Sequence, residues 1–151
     1  MEIQTDTRCT YPVGDNIGAA TRMVDEYIEA FHKLNYDGFK TINLWCRGSS
    51  GAILAAIFAT KCGRNCKIVH VKKPNESSHG ISYPIFNGIN VVIDDFVSSG
   101  YTITCIIDAI SHRGVMENCL YKLDVLMVCE NYQLGNIRNR FEHIIGKRWK
   151  L

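Results

Sequence analysis

No stretch of this chain stays apolar long enough to cross a bilayer, which takes about 20 consecutive apolar residues. The opening segment Met1-Glu2-Ile3-Gln4-Thr5-Asp6 lacks the basic and apolar regions of a secretory leader, so a cytoplasmic location is expected. Charge of one sign is scarce too. A formal net charge of +2 over 151 residues is too small to argue for nucleic acid or a membrane surface as partner. No linker, repeat or low-complexity segment interrupts the chain, and residues 1–151 read as a single domain. Two nucleotide-binding signatures are missing. No Gly-Lys-Ser/Thr completes a P-loop, and no Gly-x-Gly-x-x-Gly follows an early strand.

What is present is apolar residues at 46%, enough for an ordered globular core. Seven cysteines are many for this length: Cys9, Cys46, Cys62, Cys66, Cys105, Cys119 and Cys129. Their number is odd and most lie in apolar runs, so buried reduced thiols are expected. Cys62 and Cys66 lack the second pair that a zinc site would need.

Periodicity predicts a helix over 15–34, with Asp15 as N-cap and Ile17, Ala20, Val24, Tyr27, Ile28 and Phe31 facing inward. Strands are expected at 41–46, 67–71, 89–93 and 121–129, with Ile144-Ile145 as an edge strand. Ala52 to Thr60 reads as a buried helix, since alanine is depleted in strands. A second inward face comes from Ile103, Ile106, Ile107 and Ile110. Strands alternating with helices indicate an α/β fold with a parallel central sheet. The polar segment from Lys72 to Gly88 has no pattern of its own, and loops of that length are usually functional or mobile.

Three loops should leave this sheet at one edge. The first is Arg47-Gly48-Ser49-Ser50-Gly51, whose glycines let backbone approach a phosphate while Arg47 adds charge. The second starts with Lys72 and Lys73 and contains His79. The third follows the apolar run Val91-Val92-Ile93 with Asp94 and Asp95, then Ser98 to Thr102 at the start of a helix. Ligands in open α/β sheets bind at this edge. Hydroxyls and free N–H groups at a helix N-terminus suit an anion. Carboxylates beside such a cradle imply a ligand that combines hydroxyls and phosphate, such as a ribose phosphate.

The Val91–Thr102 stretch resembles the phosphoribosyl-diphosphate (PRPP) motif of type I phosphoribosyltransferases. That motif is an apolar run, two acids, two apolar residues, a variable residue, Thr-Gly, any residue and Thr. Ser99 stands where Thr is usual, a hydroxyl for a hydroxyl. The resemblance extends over about residues 38–130. It implies that family's fold, a parallel sheet flanked by helices, with a small hood from about 1–37 and 130–151.

The resemblance also implies roles. Asp94 and Asp95 would bind the ribose hydroxyls, directly or through Mg²⁺. Ser98, Ser99, Gly100, Tyr101 and Thr102 would hold the 5-phosphate. Arg47, Gly48 and Ser49 would face the pyrophosphate, with charge from Lys72 or Lys73. His79 would donate to the pyrophosphate or to the shell of the cation. The implied activity is Mg²⁺-dependent transfer of phosphoribose between PRPP and a nucleobase, in a homodimer. A binding protein on the same fold, sensing PRPP or a nucleotide without chemistry, is the alternative. So is a hydrolase in which water replaces the base.

The acceptor base is less legible. The 6-oxopurine enzymes commonly carry an acid just before Thr-Gly, where this chain has Ser98, and a lysine after the next strand, where it has Val128-Cys129-Glu130. Both departures argue against hypoxanthine and guanine and leave an orotate- or adenine-like base, with Glu130 as a possible acceptor from an amino group. His79-Gly80 match the loop of the orotate enzymes, but Ser77 and Ser78 replace its Lys and Asp. Tyr11, Tyr132, Phe141 and Trp149 are candidates to stack on a base.

Overall fold

A computed structural model describes residues 2–3, 13–73, 83–95, 97, 99–130 and 134–147. In chain order these form strand β1 (Glu2–Ile3), helix α1 (Ile17–His32), β2 (Ile42–Arg47), α2 (Gly48–Lys61), β3 (Cys66–Val71), β4 (Ile89–Ile93), α3 (Tyr101–Met116), β5 (Val125–Glu130) and β6 (His143–Lys147). The strands make one six-stranded sheet in the order β1-β6-β5-β4-β2-β3, and every pairing is parallel. Five strands carry the architecture, and the two-residue β1 adds an edge. The α/β class expected from the sequence is what forms.

All five residues of β4 are buried, because helices cover both faces of the sheet. Side chains still alternate. Leu44, Val91, Ile93, Val125 and Met127 pack with Tyr27, Phe31 and Phe58 of α1 and α2. Trp45, Val92, Leu126 and Val128 pack with Ile103, Ile106 and Ile110 of α3. The segment 1–37, assigned to a hood from the sequence, therefore contributes a helix to the core.

Strand order explains where a ligand would sit. From β2 the chain crosses to β3 on one side, then returns to lay β4 on the other side of β2. That reversal opens a crevice outside the carboxyl ends of β2 and β4.

Several boundaries differ from the sequence reading. Asn16, not Asp15, caps α1. Its Oδ1 accepts from Ala19 N at 3.1 Å, while Asp15 closes a 3-10 turn at Val13–Asp15. Gly48-Ser49-Ser50-Gly51 is no loop but the first turn of α2. The fifth strand starts at Val125 rather than at Tyr121. Residues just before it are held by side chains instead: Asn90 Nδ2 donates to Lys122 O at 2.8 Å, and Asp124 Oδ2 accepts from Asn90 N at 2.8 Å. Ile144-Ile145 is not an edge, since Glu2 and Ile3 pair with it from outside.

Candidate functional site

Asp94 and Asp95 follow β4 at the mouth of the crevice. Pairing with β5 continues past the strand end: Asp94 N donates to Met127 O at 3.0 Å, and Cys129 N donates to Asp95 O at 2.5 Å. The diacid backbone is thus held as firmly as the strand. Asp94 is 6% exposed, and its Oδ1 accepts from Asp95 N at 2.9 Å. Burial first, and the Asp95 charge second, push its carboxyl up to about 7, against a smaller downward pull from Lys73.

Gly100 takes a left-handed conformation (φ 80°) and turns the chain into α3. Gly100 brings no side chain to cap this helix, and no acid lies in its first turn. Ser99 Oγ accepts from Tyr101 N at 3.3 Å. Asp94, Val97 and residues 99–103 line a cavity of about 80 Å³, where one water needs roughly 10–15 Å³. That is room for a phosphate-sized group against the positive end of the helix.

The β2–α2 junction supplies the opposite wall. Arg47 is extended, and Gly48 (φ 77°) converts strand into helix within one residue. A Cβ on Gly48 would lie 3.1 Å from Lys73 Nζ, so the lysine lies across this glycine. A Cβ on Gly51 would meet Ile93 O at 3.5 Å and Asp94 Oδ1 at 3.7 Å. The start of α2 therefore packs directly on the end of β4. This helix also lacks a side-chain cap and a first-turn acid. The Arg47 guanidinium lies over the Tyr101 ring at 5.6 Å, joining the two helix starts across the crevice.

Asp94, Asp95, Arg47, Gly48, Ser49, Lys73 and Ser99 to Thr102 are thus brought to one crevice. Lys72 is not. It lines a cavity of about 400 Å³ on the α3 side of the sheet, with Trp45, His70 and His112, because it and Lys73 diverge after β3. Phe141 is 7% exposed and packs in the α3-side core, so it does not stack on a base. His79, Ser98, Tyr11, Tyr132 and Trp149 lie outside the described residues, as does the side chain of Glu130.

One group near the site carries no signal in the sequence. Tyr27 sits in the apolar stripe of α1 and is fully buried, yet its hydroxyl has no hydrogen-bond partner among the described residues. Burial, then the charges of Cys129, Asp95 and Asp94, push that hydroxyl well above the usual tyrosine range. A neutral buried hydroxyl therefore lies within electrostatic reach of the acidic pair.

No protein-family model and no curated protein matches the chain. Among solved structures it is similar to the crystal structure of L. donovani hypoxanthine-guanine phosphoribosyl transferase, with a TM-score of 0.45 and 12% sequence identity. That superposition covers 89% of this chain and 81% of the other.

Proposed function

We propose that the chain binds PRPP in the β2/β4 crevice and transfers its phosphoribose to a nucleobase, releasing pyrophosphate. The observation that carries this reading is the acidic pair, Asp94 buried and Asp95 half-buried, set between two helix N-termini whose N-cap residues Arg47 and Gly100 make no side-chain cap. Two separated anion sites flanking carboxylates fit a ligand with phosphate at one end, pyrophosphate at the other and hydroxyls between.

In this reading Ser98 to Thr102 take the 5-phosphate, and Asp94 and Asp95 accept hydrogen bonds from the ribose hydroxyls. Arg47, Gly48, Ser49 and Lys73 take the pyrophosphate, with His79 approaching from the segment after β3. As pyrophosphate leaves, positive charge develops on the ribose ring. The carboxylates lie on the side where that charge grows and stabilise it. Ser98 in place of an acid favours an orotate- or adenine-like acceptor.

Mg²⁺ fits this donor set. Asp94 and Asp95 offer adjacent hard oxygens, and Mg²⁺ is commonly held by one or two carboxylates plus substrate phosphates. The upward shift of Asp94 comes first from burial and then from the Asp95 charge, and a bound cation would favour the ionised form against both. When bound, the cation offsets the negative charge of the pyrophosphate.

The test is pyrophosphate release from PRPP and Mg²⁺ across adenine, orotate, hypoxanthine and guanine, beside calorimetric PRPP binding. Release with adenine or orotate alone is expected. PRPP binding without release for any base would make the chain a sensor, base-independent consumption would make it a hydrolase, and absence of binding would sink the assignment.

A second experiment isolates the pyrophosphate wall. Gly48→Ala forces an L-residue to φ 77° and presses a methyl on Lys73. Inorganic pyrophosphate should bind roughly tenfold more weakly, since each 1.4 kcal/mol is tenfold and left-handed strain costs about 1–2 kcal/mol. Unchanged affinity by calorimetry would remove Gly48 from the site.

A further inference from the structure

The corner between α2 and β3 brings two thiols into contact far from the crevice. Cys62 is the C-terminal cap of α2, Gly63 (φ 71°) reverses the chain, and Cys66 opens β3. The two Sγ atoms lie 3.3 Å apart. A disulfide bond is about 2.04 Å long, and the two sulfurs are already in direct contact. The corner sits at the amino end of β3, on the edge of the sheet opposite to the crevice mouth.

The shared bond lets one sulfur ionise more readily at the other's expense. The two sulfurs share a hydrogen bond in which either can donate, the Cys62 thiol also donates to Arg64 O at 3.7 Å, and His32 Nε2 lies 3.2 Å from Cys62 O. The bond shared by the two sulfurs lowers the Cys62 thiol below the usual cysteine range, against its burial, and raises Cys66 in return. Elsewhere the trend is opposite: burial pushes the Cys46 thiol up to about 12. Thiolate character is what peroxides attack selectively. Cys62 is 3% exposed and Cys66 is half-buried, so a small peroxide reaches the pair from the Cys66 side.

We propose that Cys62 and Cys66 form a reversible dithiol–disulfide site, oxidised by hydrogen peroxide or an organic peroxide. The Cys62 sulfur attacks one peroxide oxygen. An S–O bond forms, the O–O bond breaks, and the departing oxygen leaves as water or an alcohol after taking a proton. Cys62 is then a sulfenic acid, oxidised by two electrons. The Cys66 sulfur displaces its hydroxyl, the S–S bond forms, and the hydroxyl leaves as water with the Cys66 proton. With hydrogen peroxide, two thiols and one peroxide become one disulfide and two waters, and a reduced dithiol reverses the change.

The corner contains its own assay. Trypsin cuts after Lys61, Arg64 and Lys67, so Cys62-Gly63-Arg64 and Asn65-Cys66-Lys67 separate unless a disulfide joins them. The folded full chain is treated with stoichiometric peroxide, its remaining thiols are blocked with N-ethylmaleimide in denaturant, and it is digested without reductant. Mass spectrometry should find the two tripeptides linked, with the link lost after dithiothreitol. In Cys66→Ser, dimedone should label Cys62 instead, as the trapped sulfenic acid. Two separate maleimide-bearing tripeptides, at a peroxide dose that oxidises Cys105, would overturn the proposal. So would over-oxidised Cys62 beside an alkylated Cys66.

Discussion

Asp94→Asn should stabilise the fold above neutral pH while removing PRPP-dependent turnover. Asp94 titrates near 7 when folded, chiefly through burial, against about 3.9 when unfolded. The folded state therefore holds more protons than the unfolded state between those values, and stability falls as pH rises through that window. Below about pH 4 the carboxyl is neutral in both states and the stability is fully present. Above about pH 7 the buried charge costs on the order of 4 kcal/mol when no cation is added.

Asparagine has no such titration and still offers Asp95 N an acceptor. The stability difference between variant and parent, from urea unfolding without Mg²⁺, should be several kcal/mol larger at pH 8 than at pH 4. Adding Mg²⁺ at pH 8 should stabilise the parent and leave the variant unmoved. Combined with Asp95→Asn, turnover should fall by about a thousandfold or more, as when preorganised charge is removed from a transition state. Parallel pH profiles for variant and parent would show that Asp94 is ionised at little cost, and a double variant with normal turnover would displace the site from β4.

Sequence reasoning reached these carboxylates because a parallel strand buried on both faces is apolar throughout. Ile89–Ile93 was bounded correctly for that reason, and whatever follows such a strand stands at the ligand edge. It failed where one residue type serves two structures. Gly48-Ser49-Ser50-Gly51 has the composition of a turn, yet a helix whose first N–H groups are left open needs small residues at that place. The different fates of Lys72 and Lys73 depend on where the chain goes after Val71, and adjacent identical residues carry no mark of it. Tyr27 and Phe141 look alike in sequence, each an aromatic in an apolar setting. Only packing separates a hydroxyl near the acidic pair from a ring buried against α3. The thiol pair needed the left-handed Gly63 to become a pair at all.

Asn90→Leu should be the most destabilising single change outside the site, by about 3–5 kcal/mol. Asn90 is 2% exposed in a strand otherwise apolar, and it stands directly opposite Asn43 of β2. Its Oδ1 accepts from Asn43 Nδ2 at 3.0 Å and from Trp45 Nε1 at 3.1 Å, and its Nδ2 donates to Lys122 O at 2.8 Å. Asn43 in turn holds the backbone of Ile85, accepting from its N at 2.9 Å and donating to its O at 2.8 Å. Leucine fills the volume but leaves the indole N–H and a carbonyl without partners, each costing about 1–3 kcal/mol when buried.

The loss reaches the site through register. A slip of β4 against β2 would bury a polar face wrongly, and this amide pair is what an apolar ladder lacks to prevent it. Asp94 lies four residues beyond Asn90 on the same strand path, so the amide pair sets its height relative to Gly48 and Gly51. Urea unfolding should show a lower midpoint with an unchanged slope, the mark of lost stability without a changed unfolded state. Asn90→Asp keeps the acceptor for Trp45 and should recover part of the loss at low pH. A Leu variant within 1 kcal/mol of the parent would show that the two amides do not hold β4 in place.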